Sequence, residues 1–195
     1  MGTYRFNLDK AIRVTLAVLM ALGIAWRPAL AQQLPEGGHA VYGDGTFDNS
    51  QANILNIHQA TDKAIFEYNN FSIGAGNTVN FLQPGSSSVA LNRVTGGSIS
   101  EIFGALNANG NIFLINPNGI LFGAGSSVNV GGLVASSLDI NNEDFIAGRY
   151  HFANQGLTSA FVINQGTITA ADGGSVSLLG GAVRNEGTIQ ARMEA

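Results

Sequence analysis

Cysteine is absent from the 195 residues, which excludes disulfide staples, thiol chemistry and thiolate metal sites together. Stability must come from a core and from backbone ladders, and a chain without covalent loops can stay extended and thread a narrow pore. Lysine and arginine number only nine against thirteen acidic residues; without a basic cluster, neither nucleic acid nor anionic lipid is favoured as a partner. After residue 31 no apolar run approaches the ~20 residues of a membrane span, so stable membrane insertion is not expected. Periodic Leu-, Lys- and Glu-rich helix patterns are nearly missing too. What remains is an all-β chain.

Residues 1–31 stand apart. Arg5, Lys10 and Arg13 make a basic start, Val14 to Ala25 an apolar run, and Ala29-Leu30-Ala31 a small-x-small cleavage site, the three parts of a secretory signal peptide. The run is too short for a membrane anchor, and Trp26-Arg27-Pro28 ends it. Cleavage after Ala31 takes four of the nine basic residues and one of the thirteen acidic ones, leaving five against twelve, a formal −7. One domain is expected over residues 32–195, large enough to bury its own core.

Glycine is plentiful at 26 residues, and with Asn, Ser and Thr it separates short apolar runs. These runs predict strands at Ile54–Ile57, Ala64–Tyr68, Thr78–Leu82, Ser88–Leu91, Ile112–Ile115, Ile120–Phe122, Ser127–Val130, Phe161–Ile163, Ser175–Leu179 and Thr188–Gln190. Internal repeats favour a solenoid over a sandwich. The stretch Val162-Ile163-Asn164-Gln165-Gly166-Thr167-Ile168-Thr169-Ala170 recurs in pattern from Val183 to Ala191. Asn154-Gln155-Gly156 is a weaker third copy, and Gly74-Ala75-Gly76 is echoed by Gly123-Ala124-Gly125. A period in the low twenties with a few residues per side is one coil of a parallel β-helix. Stacking places Val162 over Val183 and Ile168 over Ile189. Asn164 and Asn185 are then expected in the left-handed conformation at successive corners, with Gly166 and Gly187 where no Cβ fits. Each end of a solenoid has unpaired edges that must be capped or continued. Because Ile189–Ala195 stops just after a coil begins to repeat, this reads as the front of a longer chain. Residues 92–111 and 139–156 break the rhythm and are expected outside the coils, with a helical turn within Glu143 to Gly148.

One corner is written plainly. In Phe113-Leu114-Ile115-Asn116-Pro117-Asn118-Gly119-Ile120-Leu121-Phe122 two apolar triplets flank a turn: Pro117 fixes its φ and pushes Asn116 to extended backbone, while Asn118 and Gly119 tolerate positive φ. Catalytic templates fare poorly. Gly74-Ala75-Gly76 and Gly123-Ala124-Gly125 lack the third glycine and helix of a dinucleotide fingerprint, no Gly-x-Ser-x-Gly elbow occurs, and His39, His58 and His151 have no partner at metal-ligand spacing. Gly43 to Asn49 misses the ligand pattern of a calcium loop. Glu101, Asp139, Glu143 and Asp144 are the acids available to a polysaccharide-active β-helix enzyme, too thin a set for that chemistry. No catalytic residue, metal or cofactor is expected.

A resemblance runs along nearly the whole chain after residue 31. Leu34-Pro35, Ala64 to Gly74, Val79-Asn80-Phe81, Leu91-Asn92-Arg93-Val94, Ala108-Asn109-Gly110, Asn116 to Ile120, Gly132 to Ser136 and the Asn-x-Gly-x-Ile coils resemble the two-partner secretion domain of the filamentous-haemagglutinin type. The family often carries Trp where Tyr68 stands, and its second signature, Asn-Pro-Asn-Leu, is absent here, the segment Leu91–Gly97 lying in that region. The resemblance implies an N-terminally capped right-handed parallel β-helix with short extra-helical β insertions, at the front of an adhesin- or haemolysin-type exoprotein. It implies recognition by the periplasmic POTRA domains of a TpsB-type outer-membrane transporter, with Asn116, Pro117, Asn118, Gly119, Ile120, Asn92 and Arg93 as signature residues. It implies passage through the periplasm of a Gram-negative-type bacterium to its surface or the medium, where the passenger meets host or bacterial partners. The competing reading is a glycan- or host-surface-binding adhesin module, which needs exposed aromatics in a groove.

Overall fold

Strands of three to seven residues with apolar side chains at alternate positions are long enough to cross one side of a coil and no more. In the computed structural model, which describes residues 33–153 and 160–192, that is how they are used. The signal peptide expected over residues 1–31 and the Asn154-Gln155-Gly156 copy lie outside the described residues. After β1 (His39–Tyr42) and β2 (Gly45–Gln51) the chain winds into a right-handed three-sided solenoid whose sides recur as three parallel sheets. The first face is β4 (Lys63–Tyr68), β6 (Val89–Val94), β9 (Asn111–Ile115), β12 (Gly132–Ser136) and β17 (Val176–Leu179). The second is β7 (Ser100–Ile102), β10 (Ile120–Phe122), β15 (Phe161–Asn164) and β18 (Ala182–Asn185). The third is β3 (Ile54–Gln59), β5 (Thr78–Leu82), β8 (Ala105–Ala108), β11 (Ser127–Val130), β16 (Thr167–Ala170) and β19 (Thr188–Gln190). β1 and β2 pair antiparallel with β4 and β3, which closes the first edges of two faces and forms the expected cap. Gly43 to Asn49 therefore runs into a cap strand.

The core is a set of columns. Leu55, Val79, Leu106, Val128, Ile168 and Ile189 stand in register up the third face, and Val162 lies over Ile120 and under Val183 on the second. Both expected stackings are present. Two expectations need correction. Residues 92–111 are not an insertion: they complete β6, supply β7 and β8 and begin β9, leaving a loop at 95–99 and two-residue corners at 103–104 and 109–110. β7 and β8 carry one or two inward apolar residues each, Ile102 or Leu106, too few for alternation to show in sequence. No residue other than glycine has positive φ among those described, so the paired corner asparagines are not left-handed, and in the Asn-Pro-Asn-Gly turn the positive φ falls on Gly119. Asn164 instead points inward over Phe122, where its Nδ2 donates to Asn185 Oδ1 at 2.8 Å and its Oδ1 accepts from the Gly166 amide at 3.1 Å. Left-handed backbone falls on glycines such as Gly76 and Gly125, which close the two echoed Gly-Ala-Gly turns at φ +83° and +87°.

Of the excursion expected over residues 139–156, the described part, 139–153, does leave the coil. On the third face Ala105 registers with Ser127 and Thr167 with Thr188, each pair one short coil apart, whereas Ser127 and Thr167 are separated by nearly twice that length of chain. The extra length forms an antiparallel pair, β13 (Asp139–Ile140) with β14 (Phe152–Ala153), around the short helix α1 (Asn142–Ile146). Asn141 caps α1 by accepting from the Glu143 amide at 2.7 Å. The excursion lies on the outside of the first face, where the outward residues Ile65, Leu91 and Phe113 form a second apolar cluster with Ile140 and Phe145.

Candidate recognition site

The turn chemistry of Asn116 to Gly119 produces a corner that joins coils. It links β9 to β10, and its bonds run up and down the solenoid axis. Asn116 is fully buried; its Nδ2 donates to Ser98 O and to Ser100 Oγ of the preceding coil, each at 3.0 Å. Its Oδ1 accepts from the Asn118 amide at 2.9 Å, and its own amide donates to Ser136 O of the following coil at 2.9 Å. Asn118 reaches down to Gly96 O at 2.8 Å. Gly119 takes φ +123°, a value that favours glycine, and passes beneath the Phe161 backbone. Ile120 enters the core. The Asn-Pro-Asn-Gly sequence is thus a staple across three coils.

Asn92 and Arg93 lie near the end of β6 one coil earlier, in register with Leu114 and Ile115 just before this corner, and they divide their roles by strand alternation. Asn92 points inward and is fully buried. It accepts a hydrogen bond from Tyr68 Oη at 3.0 Å and donates to Ala90 O and Phe113 O, both at 3.3 Å. Burial pushes the Tyr68 phenol well above its ordinary range, so Tyr68 stays a donor. Arg93 points outward into the excursion. Its guanidinium pairs with Asp139 at 2.9 Å and Glu67 at 3.5 Å and donates to Ile140 O at 2.6 Å and Asn142 Oδ1 at 2.7 Å. Lys63 holds the other end, its ammonium donating to Ile146 O at 2.7 Å and Phe145 O at 3.4 Å, the carbonyls of the last turn of α1. Arg149 pairs within the excursion with Asp144 at 2.6 Å.

The structure therefore brings Asn92, Arg93 and Asn116 to Ile120 to one edge of the solenoid. Asn164, Gly166, Asn185 and Gly187 lie at a different corner, between the second and third faces. Lys63, Tyr68, Asp139 and Asn142, which complete the site, do not stand out in sequence as site residues. For Lys63 scarcity was the available signal: Lys63, Arg93 and Arg149 are three of the five basic residues after residue 31, and all three bond to the excursion. Replacing Arg93 with alanine leaves Asp139 partly buried without its cation. We expect a loss of about 2–3 kcal/mol in urea unfolding, below the ~3–5 kcal/mol of a fully buried pair because Glu67 and Asp139 retain 26% and 19% exposure. Proteolysis between residues 139 and 153 should accelerate; unchanged cleavage would show that the apolar contacts alone dock the excursion.

Stacked columns, an N-terminal cap and coil-spanning corners define a β-solenoid module whose conspicuous residues hydrogen-bond within the fold. Its sequence is similar to parts of two heme/hemopexin-binding proteins of Haemophilus influenzae. One, from strain ATCC 51907 / DSM 11121 / KW20 / Rd, is 38% identical over 170 residues, 84% of this chain and 18% of the relative; the other is 35% identical over 152 residues, 78% and 16%. The chain thus spans less than a fifth of either relative. The crystal structure of the HMW1 secretion domain from Haemophilus influenzae superposes with a TM-score of 0.77 at 40% identity, covering 80% of this chain and 42% of that one. The model of the TPS secretion domain matches residues 31–194, and the chain belongs to that family. It is the secretion domain of a two-partner-secreted exoprotein, a class exported through the periplasm and outer membrane of Gram-negative bacteria.

Proposed function

We propose that this domain targets its exoprotein to a TpsB-type transporter, whose periplasmic POTRA domains capture it unfolded, and that it then nucleates β-helix folding at the cell surface. The observation that carries this reading is the capped solenoid: β1 and β2 cover the first edges of two of its three faces, which favours adding coils at the opposite end. Parallel pairing closes loops of about twenty residues and is slow, leaving time for capture of the extended chain. Edge addition to a POTRA sheet suits such a segment. After passage each coil buries its apolar residues on the last, which opposes return without any nucleotide-driven motor. Co-expression with and without the transporter tests this. The chain should reach the medium only with it, and equal release in both would overturn the proposal.

The buried signature residues act in this scheme by shaping the coil. Asn116→Ala removes four side-chain hydrogen bonds from the corner, including that from Asn118 Nδ2 at 3.1 Å. We expect a stability loss of about 1–3 kcal/mol and a matching fall in secretion, with POTRA binding of the unfolded chain retained. A variant that keeps its β spectrum and stability but loses that binding would make Asn116 a direct contact.

A further inference from the structure

The outward column of the first face changes character along its length. Ile65, Leu91, Phe113 and Val134 follow one another in register, and the next residue above Val134 is Ser177. The excursion covers the apolar part of this column. Beside the described part of the excursion, a groove of about 750 Å³ lies between Tyr150 and Phe152 on one hand and β9, β12 and β17 on the other. Phe113, Tyr150 and Phe152 form its aromatic wall, with the Tyr150 and Phe113 rings 4.8 Å apart and 59° inclined. Tyr150 is 45% exposed, an unusual state for an aromatic that also contacts Phe145 at 6.0 Å. Ser87, Ser175 and Ser177 also line it, and among the described residues their hydroxyls have no protein partner. The lining contains no carboxylate, ammonium, guanidinium or imidazole among the described residues.

We propose that this groove binds an uncharged oligosaccharide. A sugar ring has an apolar C–H face and a rim of hydroxyls. The negative face of an aromatic ring complements the first, and free hydroxyls and amides complement the second. The other ligand classes fit less well. A sulfated or uronic glycan finds no cation here and meets a chain of formal charge −7 after residue 31. A lipid tail would strip water from three serine hydroxyls without replacing their hydrogen bonds. An extended peptide needs a sheet edge, whereas most of this groove lies over the faces of β9 and β12, whose backbone groups are paired on both sides; only β17, last in its sheet among the described residues, has an open edge. Tyr150 supplies both stacking and donation, since partial burial raises its phenol above the ordinary value and keeps the hydroxyl protonated. The volume falls within the range of small-ligand sites. The role is independent of export, because the groove belongs to the folded domain.

The test is saturation-transfer NMR and calorimetry on the secreted, folded chain with cellohexaose, maltohexaose and chitohexaose, and with a heparin hexasaccharide as the charged comparison. At least one neutral sugar should bind, with transfer strongest at ring C–H protons. Tyr150→Ala should weaken it about tenfold or more, Tyr150→Phe should keep most of the stacking, and Ser177→Leu should block the groove from the coil side without touching the excursion. Circular dichroism confirms that each variant is folded. Binding of heparin alone, no neutral sugar bound at millimolar concentration, or affinity unmoved by both Tyr150→Ala and Ser177→Leu would overturn the proposal.

Discussion

Ile168→Asp is expected to remove the domain from the medium while leaving its synthesis intact. Ile168 is fully buried in the column Leu55, Val79, Leu106, Val128, Ile168 and Ile189, flanked on both sides by aliphatic neighbours in register. A carboxylate there has no partner and must stay charged in an apolar medium or take up a proton, and it forfeits the contacts of the lost side chain as well. The cost is on the order of 4–5 kcal/mol or more, comparable to the ~5–15 kcal/mol by which a domain is folded at all. Val162→Asp, equally buried on the second face, should behave alike. Thr169→Asp is the control. It lies next to Ile168 but faces outward beside Asn129 and Gln190, and should shift stability by only ~0.5 kcal/mol. If burial of each coil drives export, yield falls for the two core variants and not for the control. Unchanged yield from Ile168→Asp, with transporter present, would sink the vectorial-folding mechanism but not transporter dependence.

The fold was legible where the chain repeats itself without interruption. Val162 to Ala170 and Val183 to Ala191 show the period because the coil between them carries no added loop, and the registered pair Asn164 and Asn185 is 21 residues apart. Elsewhere the spacing drifts. Asn56 and Asn80 are 24 residues apart and Asn80 and Asn107 are 27 residues apart, although both pairs are in register, and the excursion lengthens one coil much further. No single period therefore lines up the columns. The cap strands were missed for another reason. β1 and most of β2 are solvent-exposed, and strands that bury no face carry no alternation. Corner asparagines misled because their tolerance of left-handed backbone is a local property. In the solenoid the neighbouring coil offers them side-chain partners, and the ladder from Asn164 to Asn185 wins.

For the candidate site, sequence order singled out the corner and the Asn92-Arg93 pair but gave no sign of their depth. A surface motif and a buried staple look alike in a string of residues. The difference lies in what stacks above and below, here Ser98, Ser100 and Ser136 from two other coils. Long-range pairs such as Arg93 with Asp139, separated by 46 residues, become neighbours only once the excursion folds back.

Gly166→Ala should be nearly as damaging as a core charge, although it adds one methyl group. A Cβ at Gly166 would meet Ser126 Oγ and lie 2.8 Å from Ser126 O and 2.9 Å from Gly123 O, the carbonyls of the coil below. The hydroxyl can rotate; the carbonyls cannot, since Thr167 N bonds to Ser126 O at 3.0 Å. Relief requires lifting this coil off its neighbour, and the lift is passed upward because the Thr188 amide bonds to Gly166 O at 2.9 Å. We expect a loss of ~3 kcal/mol, with secretion yield falling in step. Gly125→Ala separates crowding from backbone strain: its Cβ meets nothing within 4 Å, but its φ of +87° is costly for alanine, by about 1–2 kcal/mol. Gly85→Ala has neither problem and should be close to neutral. The order Gly166, Gly125, Gly85 in urea midpoints follows only if coil-to-coil contact sets the cost. Equal losses at Gly166 and Gly125 would mean that turn conformation, and not the spacing of stacked coils, limits what the corner accepts.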